Sequence, residues 1–244
     1  MTRTARATLI LVAVNLTVYF IMLVGWLVRD LFPNLPEAMI GCLALDATVG
    51  ELSHAPWTLV TYMFTHLNFV HLTVNMLWLI GFGPMIKGDW PHTVATYLVG
   101  GICGAIAYLA TSFSTNNHIE LAGASASVLA VIVATACLAP NRQLQMIIFG
   151  AVKLKWLALI AVITIFIDGD LLSPVMIAHL GGAIAGGIIG LSLHYHDHKL
   201  SQQALETARR HTRRQWLLQK VDQSGFTSLS EVERLELFDM RSRH

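Results

Sequence analysis

The chain has 244 residues, 55% of them hydrophobic and only 13% charged, with a mean hydropathy of +0.59 and a formal net charge of +1. The charge is unevenly placed: residues 197–244 hold nine of the 16 Lys and Arg and seven of the 15 Asp and Glu, which leaves the first 196 residues too sparsely charged to cover an aqueous globule. A soluble enzyme, a nucleic-acid binder and a disordered chain are thereby excluded, and the sequence divides into a polytopic membrane block, 1–196, and a charged tail, 197–244.

Arg3 and Arg6 precede an uncharged apolar stretch from Thr8 to Val28, longer than a signal-peptide core and without a small-residue cleavage pattern before Arg29, so it reads as a retained first span. Further charge-free stretches long enough for the roughly 20 residues of a crossing helix lie between Glu51 and Lys87, Asp89 and Glu120, Glu120 and Arg142, and Asp170 and Asp197. The fifth candidate is shorter. Its apolar run, Trp156 to Ile167, has 12 residues and spans only if Lys153 and Lys155 snorkel or Met146 to Val152 lengthens it. Six spans with the N-terminus inside put Arg3, Arg6, Lys87, Arg142, Lys153, Lys155 and the basic tail on the cytoplasmic side, and of the basic residues in the membrane block leave only Arg29 outside, as the positive-inside rule expects. Cys42, Cys103 and Cys137 form no paired framework, so neither a disulfide nor a zinc role is expected.

Polar groups within spans cost free energy unless paired or wet, and each is a candidate site. His71 and Asn75 are four apart and share one face of the second helix. Ser125 opens the fourth span and His179 lies about one and a half turns into the sixth. With six spans, helices two, four and six run inward, so their outer ends share a leaflet and these residues can converge. The fourth helix has 16 residues between Gly123 and Pro140, about 24 Å against a core of roughly 30 Å, which sets Ser125 below the outer surface. A serine hydroxyl whose proton is taken by an imidazole is a nucleophile. At a helix N-terminus, unpaired N–H groups and the dipole favour an oxyanion, to which His71 and Asn75 could add donors. No carboxylate stands at helical spacing from His179. Glu120, Asp168 and Asp170 are loop residues near the same face, where a third catalytic member is possible but not indicated. Ala178, Gly182, Gly186 and Gly190 on the sixth span, and Ala126, Ala130 and Ala134 on the fourth, recur every four residues and let backbones approach closely in lipid.

These residues carry a resemblance. Trp57, the stretch His66-Leu-Asn-Phe-Val-His71-Leu-Thr-Val-Asn75, Gly123-Ala124-Ser125 and Ala178-His179-Leu-Gly-Gly182 with Gly186 resemble the rhomboid intramembrane serine proteases over residues 8–196. The resemblance implies an all-α bundle of six transmembrane helices with a short helical cytoplasmic tail. It implies Ser125 as nucleophile and His179 as general base, an oxyanion site of His71, Asn75 and the Ser125 N–H, His66 organising the first loop, and Gly123 allowing the tight start of the fourth helix. No cofactor or metal is implied. The implied partners are transmembrane protein substrates and the bilayer, with both termini cytoplasmic in a bacterial inner membrane. Thr58, Ala126, Lys87 and Leu129 stand where members of the family often carry Arg, Gly, Glu and an aromatic that stacks on the histidine. The alternative is a catalytically silent rhomboid-like protein that binds transmembrane helices; a small transporter would need intramembrane carboxylates or broken repeated helices, and none is apparent.

Beyond the membrane block, His194, His196 and His198 read as a solvated interfacial group rather than a metal site. Arg209, Arg210, Arg213 and Arg214 form one face if 200–220 is helical, a solvated face first and a site for anionic lipid heads second. A loop is expected over Asp222 to Thr227, followed by a helix that Ser230 and Glu233 cap reciprocally.

Overall fold

The computed structural model describes residues 2–86, 90–115, 120–146, 150–164 and 173–242. Contacts divide them into two compact units, Met1–His194 and Tyr195–His244.

In the first unit, α1 (Arg3–Leu27) starts where the Thr2 hydroxyl accepts the Ala5 N–H at 3.2 Å. Three short helices follow, α2 (Leu35–Leu43), α3 (Val49–His54) and α4 (Thr58–Thr61), the last running into a 3-10 turn at Tyr62–Phe64. The chain then bends by 91° into α5 (Phe69–Phe82). The Asn68 side chain caps α5 by accepting the N–H groups of Val70 and His71 at 2.7 and 3.3 Å, satisfying two of the four orphan donors of its first turn. After α6 (Trp90–Thr115) comes α7 (Ser125–Leu138), a 14-residue helix that is apolar all round and packed on nearly every side, against α5, α6 and α8 (Leu154–Thr164). A helix with no polar stripe has no solvent face to offer, and α7 is accordingly the central post of the unit.

Large apolar side chains face outward on the surrounding helices: Ile10 and Phe20 on α1, Leu77 on α5, Ile106 on α6, Ile160 on α8, and Ile184 and Ile188 on α9 (Pro174–Ser224). Among the described residues, three helices, Arg3–Leu27, Pro91–Phe113 and Pro174–Ser224, are long and apolar enough to cross a membrane, or four if the bent pair Thr58–Phe64 and Phe69–Met85 is one span. Among the described residues, α7 has 14 residues and α8 has 11, fewer than the roughly 20 of a full crossing.

One sequence expectation is corrected. Of the segment Met146 to Val152, the described residues, Met146 and Gly150 to Val152, do not lengthen the fifth candidate span. Gln143–Met146 (β1) and Gly150–Lys153 (β2) pair antiparallel as a hairpin, in register Gln143↔Lys153, and α8 begins only at Leu154. The segment alternates polar Gln143 and Gln145 with Leu144 and Met146, which pack on the core, and a period of two suits a pleated strand rather than a helix. Apart from this hairpin and the single bridge Leu45–Leu121, the regular structure of the described residues is helical. Lys87, Asp168, Asp170 and the end of the fifth candidate span, Ile165 to Ile167, lie outside the described residues.

The second unit is a helical hairpin. The part of α9 beyond residue 195 continues to Ser224, past the loop start expected at Asp222, and turns at Gly225, whose φ of 77° is left-handed. A 3-10 turn, Phe226–Ser228, leads to α10 (Glu231–Ser242). The capping box is present: the Glu233 carboxylate accepts the Ser230 N–H at 2.8 Å, and the Ser230 hydroxyl accepts the Glu233 N–H at 3.2 Å. Arg213 donates to Glu236 and Lys220 to Glu233 across the two helices.

Candidate active site

Ser125 is the first residue of α7, and the chain reaches it through Gly123 at φ 131°, a conformation open to glycine and strained for other residues. Two backbone donors just before Ser125 are held by the segment ahead of α5. The Gly123 N–H donates to the Tyr62 carbonyl at 2.9 Å and the Ala124 N–H to Nε2 of His66 at 3.3 Å. His66, buried at 1% exposure, thus fixes the start of α7 directly. The Ser125 N–H has no acceptor among the described residues, as expected of a first-turn donor.

His179 reaches the same place from α9. Ser125 Oγ lies 2.6 Å from His179 Nε2; with the ring proton on Nδ1, the hydroxyl donates to Nε2. The close approach depends on small residues. A β-carbon on Gly182 would collide with the Ala126 carbonyl, on Gly186 with that of Ala130, and on Gly190 with that of Ala134, so the two stripes seen in the sequence are the surfaces along which α9 lies on α7. A third stripe, Gly100 and Gly104 on α6, meets Ala130 and Ala126 from another side.

From α5, the His71 ring stands edge-on to His66 with centroids 5.3 Å apart and covers Gly123, where an added β-carbon would be 2.6 Å from His71 Cε1. The Asn75 amide, 5% exposed, donates to the His71 carbonyl at 3.0 Å, which fixes its orientation and leaves its second N–H for another acceptor. His71, Asn75, Ser125 and His179 all line one open cavity of about 230 Å³, whose apolar walls include Trp78, Leu129 and Ile132, with Ala161 and Thr164 from α8. A hydroxyl, an imidazole, an amide and a free helix N-terminus around one recess can perform nucleophilic acyl transfer.

The first loop is tied down without the arginine common after its tryptophan. Trp57 Nε1 donates to the Cys42 carbonyl at 2.8 Å, the Thr61 hydroxyl to the Leu43 carbonyl at 2.8 Å, and Thr58 to Ala55 at 2.7 Å. Leu45 and Leu121 exchange both backbone bonds at 2.9 Å, joining this loop to the segment leading to Ser125. Glu120, beside that bridge, has a carboxyl raised from its ordinary value by partial burial and then by Asp46; the charge it senses is Asp46. Leu129 is a buried wall of the cavity where an aromatic was absent from the sequence. No group of three or more potential metal ligands occurs among the described residues, and His194 instead lies 3.1 Å from the Leu138 carbonyl.

Sequence reasoning missed Val74 and Trp78, although 71, 74, 75 and 78 follow the i, i+3, i+4, i+7 pattern of one helix face. It also missed a buried polar relay. Asn15 of α1 donates to the Tyr97 hydroxyl at 3.2 Å, Tyr97 of α6 donates to the Met63 carbonyl at 2.7 Å, and Tyr62 donates to the Gly101 carbonyl at 2.6 Å, so the segment that holds Gly123 is itself held from two helices.

No curated protein matches the chain. A family model described as Rhomboid domain matches residues 53–196, more than half of the sequence and the stretch that contains every residue of the cavity; the chain is an integral membrane protein and belongs to the rhomboid family.

Proposed function

We propose that this protein is an intramembrane serine endopeptidase that cuts membrane-protein substrates in or near their transmembrane segments. The observation that carries the reading is the 2.6 Å contact between Ser125 Oγ and His179 Nε2, both of which line an open cavity among helices with apolar side chains facing outward. Ser125 attacks the scissile carbonyl as His179 takes its proton, an effect of about 10² to 10⁴ in rate. The negative charge that develops on the carbonyl oxygen is met by the Ser125 N–H, the remaining Asn75 N–H and His71, each such donor being worth about 10² to 10³ in turnover. His179 then returns the proton to the leaving amine, and water, deprotonated by the same imidazole, releases the acyl group from Ser125.

In this reading the membrane block crosses six times with both termini cytoplasmic, α7 and α8 serving as short spans. At about 1.5 Å per residue, α7 is roughly 21 Å long, so Ser125 sits beneath the outer face and substrate must come to it. A carbonyl within a membrane helix is shielded by its own hydrogen bond, so the substrate has to unwind locally, and segments with Gly or Pro near the outer face are cut preferentially. Helix α8, which contributes Ala161 and Thr164 to the cavity wall, is the element past which a substrate helix enters.

The test is cleavage of a tagged single-span substrate, carrying a Gly-Pro pair near its outer end, in liposomes. Wild type should cut it, and Ser125→Ala and His179→Ala should reduce cleavage at least about 10³-fold. Binding of the substrate with no cleavage by wild type would make this the silent, helix-binding member of the family.

A further inference from the structure

The tail unit has more apolar surface than two helices can bury. Of its large apolar residues whose side chains are described, Leu217 and Leu229 are buried, at 0% and 2%, while Leu218, Phe226, Val232, Leu235 and Phe238 are 44–73% exposed. A unit of this size with so small a core ordinarily relies on association. The surplus is not scattered. Leu218, Phe226, Leu237 and Phe238, together with the cationic Arg214, line a cavity of about 340 Å³, and Phe226 and Phe238 meet edge-on at 6.4 Å. From Phe238 the apolar strip continues along α10 through Leu235 to Glu231, spaced i, i+4, i+7 on one helix face.

The charges repeat the theme. Within the hairpin, basic α9 meets acidic α10 through Arg213–Glu236 at 3.1 Å and Lys220–Glu233 at 2.9 Å. Arg209, Arg210 and Arg214 are left without an ion pair among the described residues, and Glu231 stands exposed at the other end of the apolar strip. One unit therefore carries a groove with a cation in its lining and a ridge with an anionic end.

We infer that the tail pairs with the tail of a second copy of this chain, as a two-fold arrangement of four helices in which Leu235 of each copy enters the groove that Phe238 lines in the other and Glu231 of each meets Arg214 of the other. A two-fold interface requires one surface to complement itself, and here both halves of the complement lie on adjoining faces of the same hairpin. Burying apolar side chains between paired amphipathic hairpins is how four-helix bundles gain their core.

The test uses the full chain in detergent and reads its mass by native mass spectrometry at micromolar concentration, with thermal melting as the check on folding. Wild type should be dimeric. Arg214→Glu and Glu231→Arg should each weaken association at least tenfold through like-charge contacts, and the chain carrying both changes should recover it, because every pair is then restored with its signs exchanged. Phe238→Lys should give monomers that melt within a few degrees of wild type. A monomeric wild type overturns the inference, as does a dimer indifferent to the three single changes or a double variant that stays monomeric. Monomers that bind anionic vesicles through Arg214 would assign the groove to lipid instead.

Discussion

The His71 ring occupies the space in which a β-carbon of Gly123 would stand, with Cε1 2.6 Å from that position. Backbone and ring thus determine one another two residues ahead of Ser125. Gly123→Ala would both strain a φ of 131°, at about 1–3 kcal/mol, and displace His71 from the cavity. Turnover of a cleaved substrate should fall about 10²-fold or more while the protein still inserts and melts cooperatively; unchanged turnover would mean that His71 placement is irrelevant to the reaction.

Asn75 is oriented by its bond to the His71 carbonyl. Asn75→Ala should lower kcat about 10²- to 10³-fold, the usual effect of one lost donor to an oxyanion, with KM moved little. Steady-state kinetics in liposomes separate the two, and a rise in KM alone would relegate Asn75 to packing.

At Gly182 there is no room between α9 and the Ala126 carbonyl. Gly182→Val must push the helices apart, destabilising the bundle by about 1–3 kcal/mol as overpacking does and separating His179 from Ser125. Both the melting temperature and the rate of serine modification should drop, whereas Gly187→Ala, with only Val133 at 3.7 Å, should change neither.

Tyr97→Phe removes the hydroxyl that joins Asn15 to the Met63 carbonyl and leaves buried polar groups unpaired, at about 1–3 kcal/mol. A loss of that size in denaturant stability is expected, and Asn15→Leu combined with Tyr97→Phe should cost less than the sum of the two single changes, since both end the same relay.

The Glu233 carboxyl is held below its ordinary value, first by the hydrogen bond from Lys220 and then by Ser230. A depressed folded-state value stabilises the hairpin above the unfolded value, near 4.5, and that contribution is lost as pH falls through the lower folded value. Protection of the amides over residues 229–240, the exchange rate divided into its intrinsic rate at the same pH, should therefore be high at pH 6 and fall below about pH 4.5, and Glu233→Gln should remove most of this pH dependence.

Features carried by local pattern were legible in the sequence. The four-residue stripes foretold where α9 lies on α7, Ser230 and Glu233 foretold the cap, and His71, Asn75, Ser125 and His179, drawn from three separate helices, line one cavity. What escaped depends on tertiary contact. Helices α2 to α4 are too short to declare themselves and are held by bonds such as Leu45–Leu121 and Trp57–Cys42. Asn15 and Tyr97 are 82 residues apart and join only once α1 and α6 pack. The strand β2 carries little alternation of its own, so Met146 to Val152 stands in the sequence as one of two ways to lengthen the fifth span, and its pairing with β1 is a contact between strands that neither segment shows alone. The count of spans depends on α7 and α8, whose lengths alone do not decide whether they cross.

The central claim is that Ser125 is a nucleophile activated by His179. Intact-mass and peptide analysis after treatment with a fluorophosphonate probe tests it most directly. One adduct on Ser125 is expected in wild type, none in Ser125→Ala, and labelling slowed at least about 10²-fold in His179→Ala. Equal labelling of wild type and Ser125→Ala, or an adduct on any other serine alone, would contradict the account.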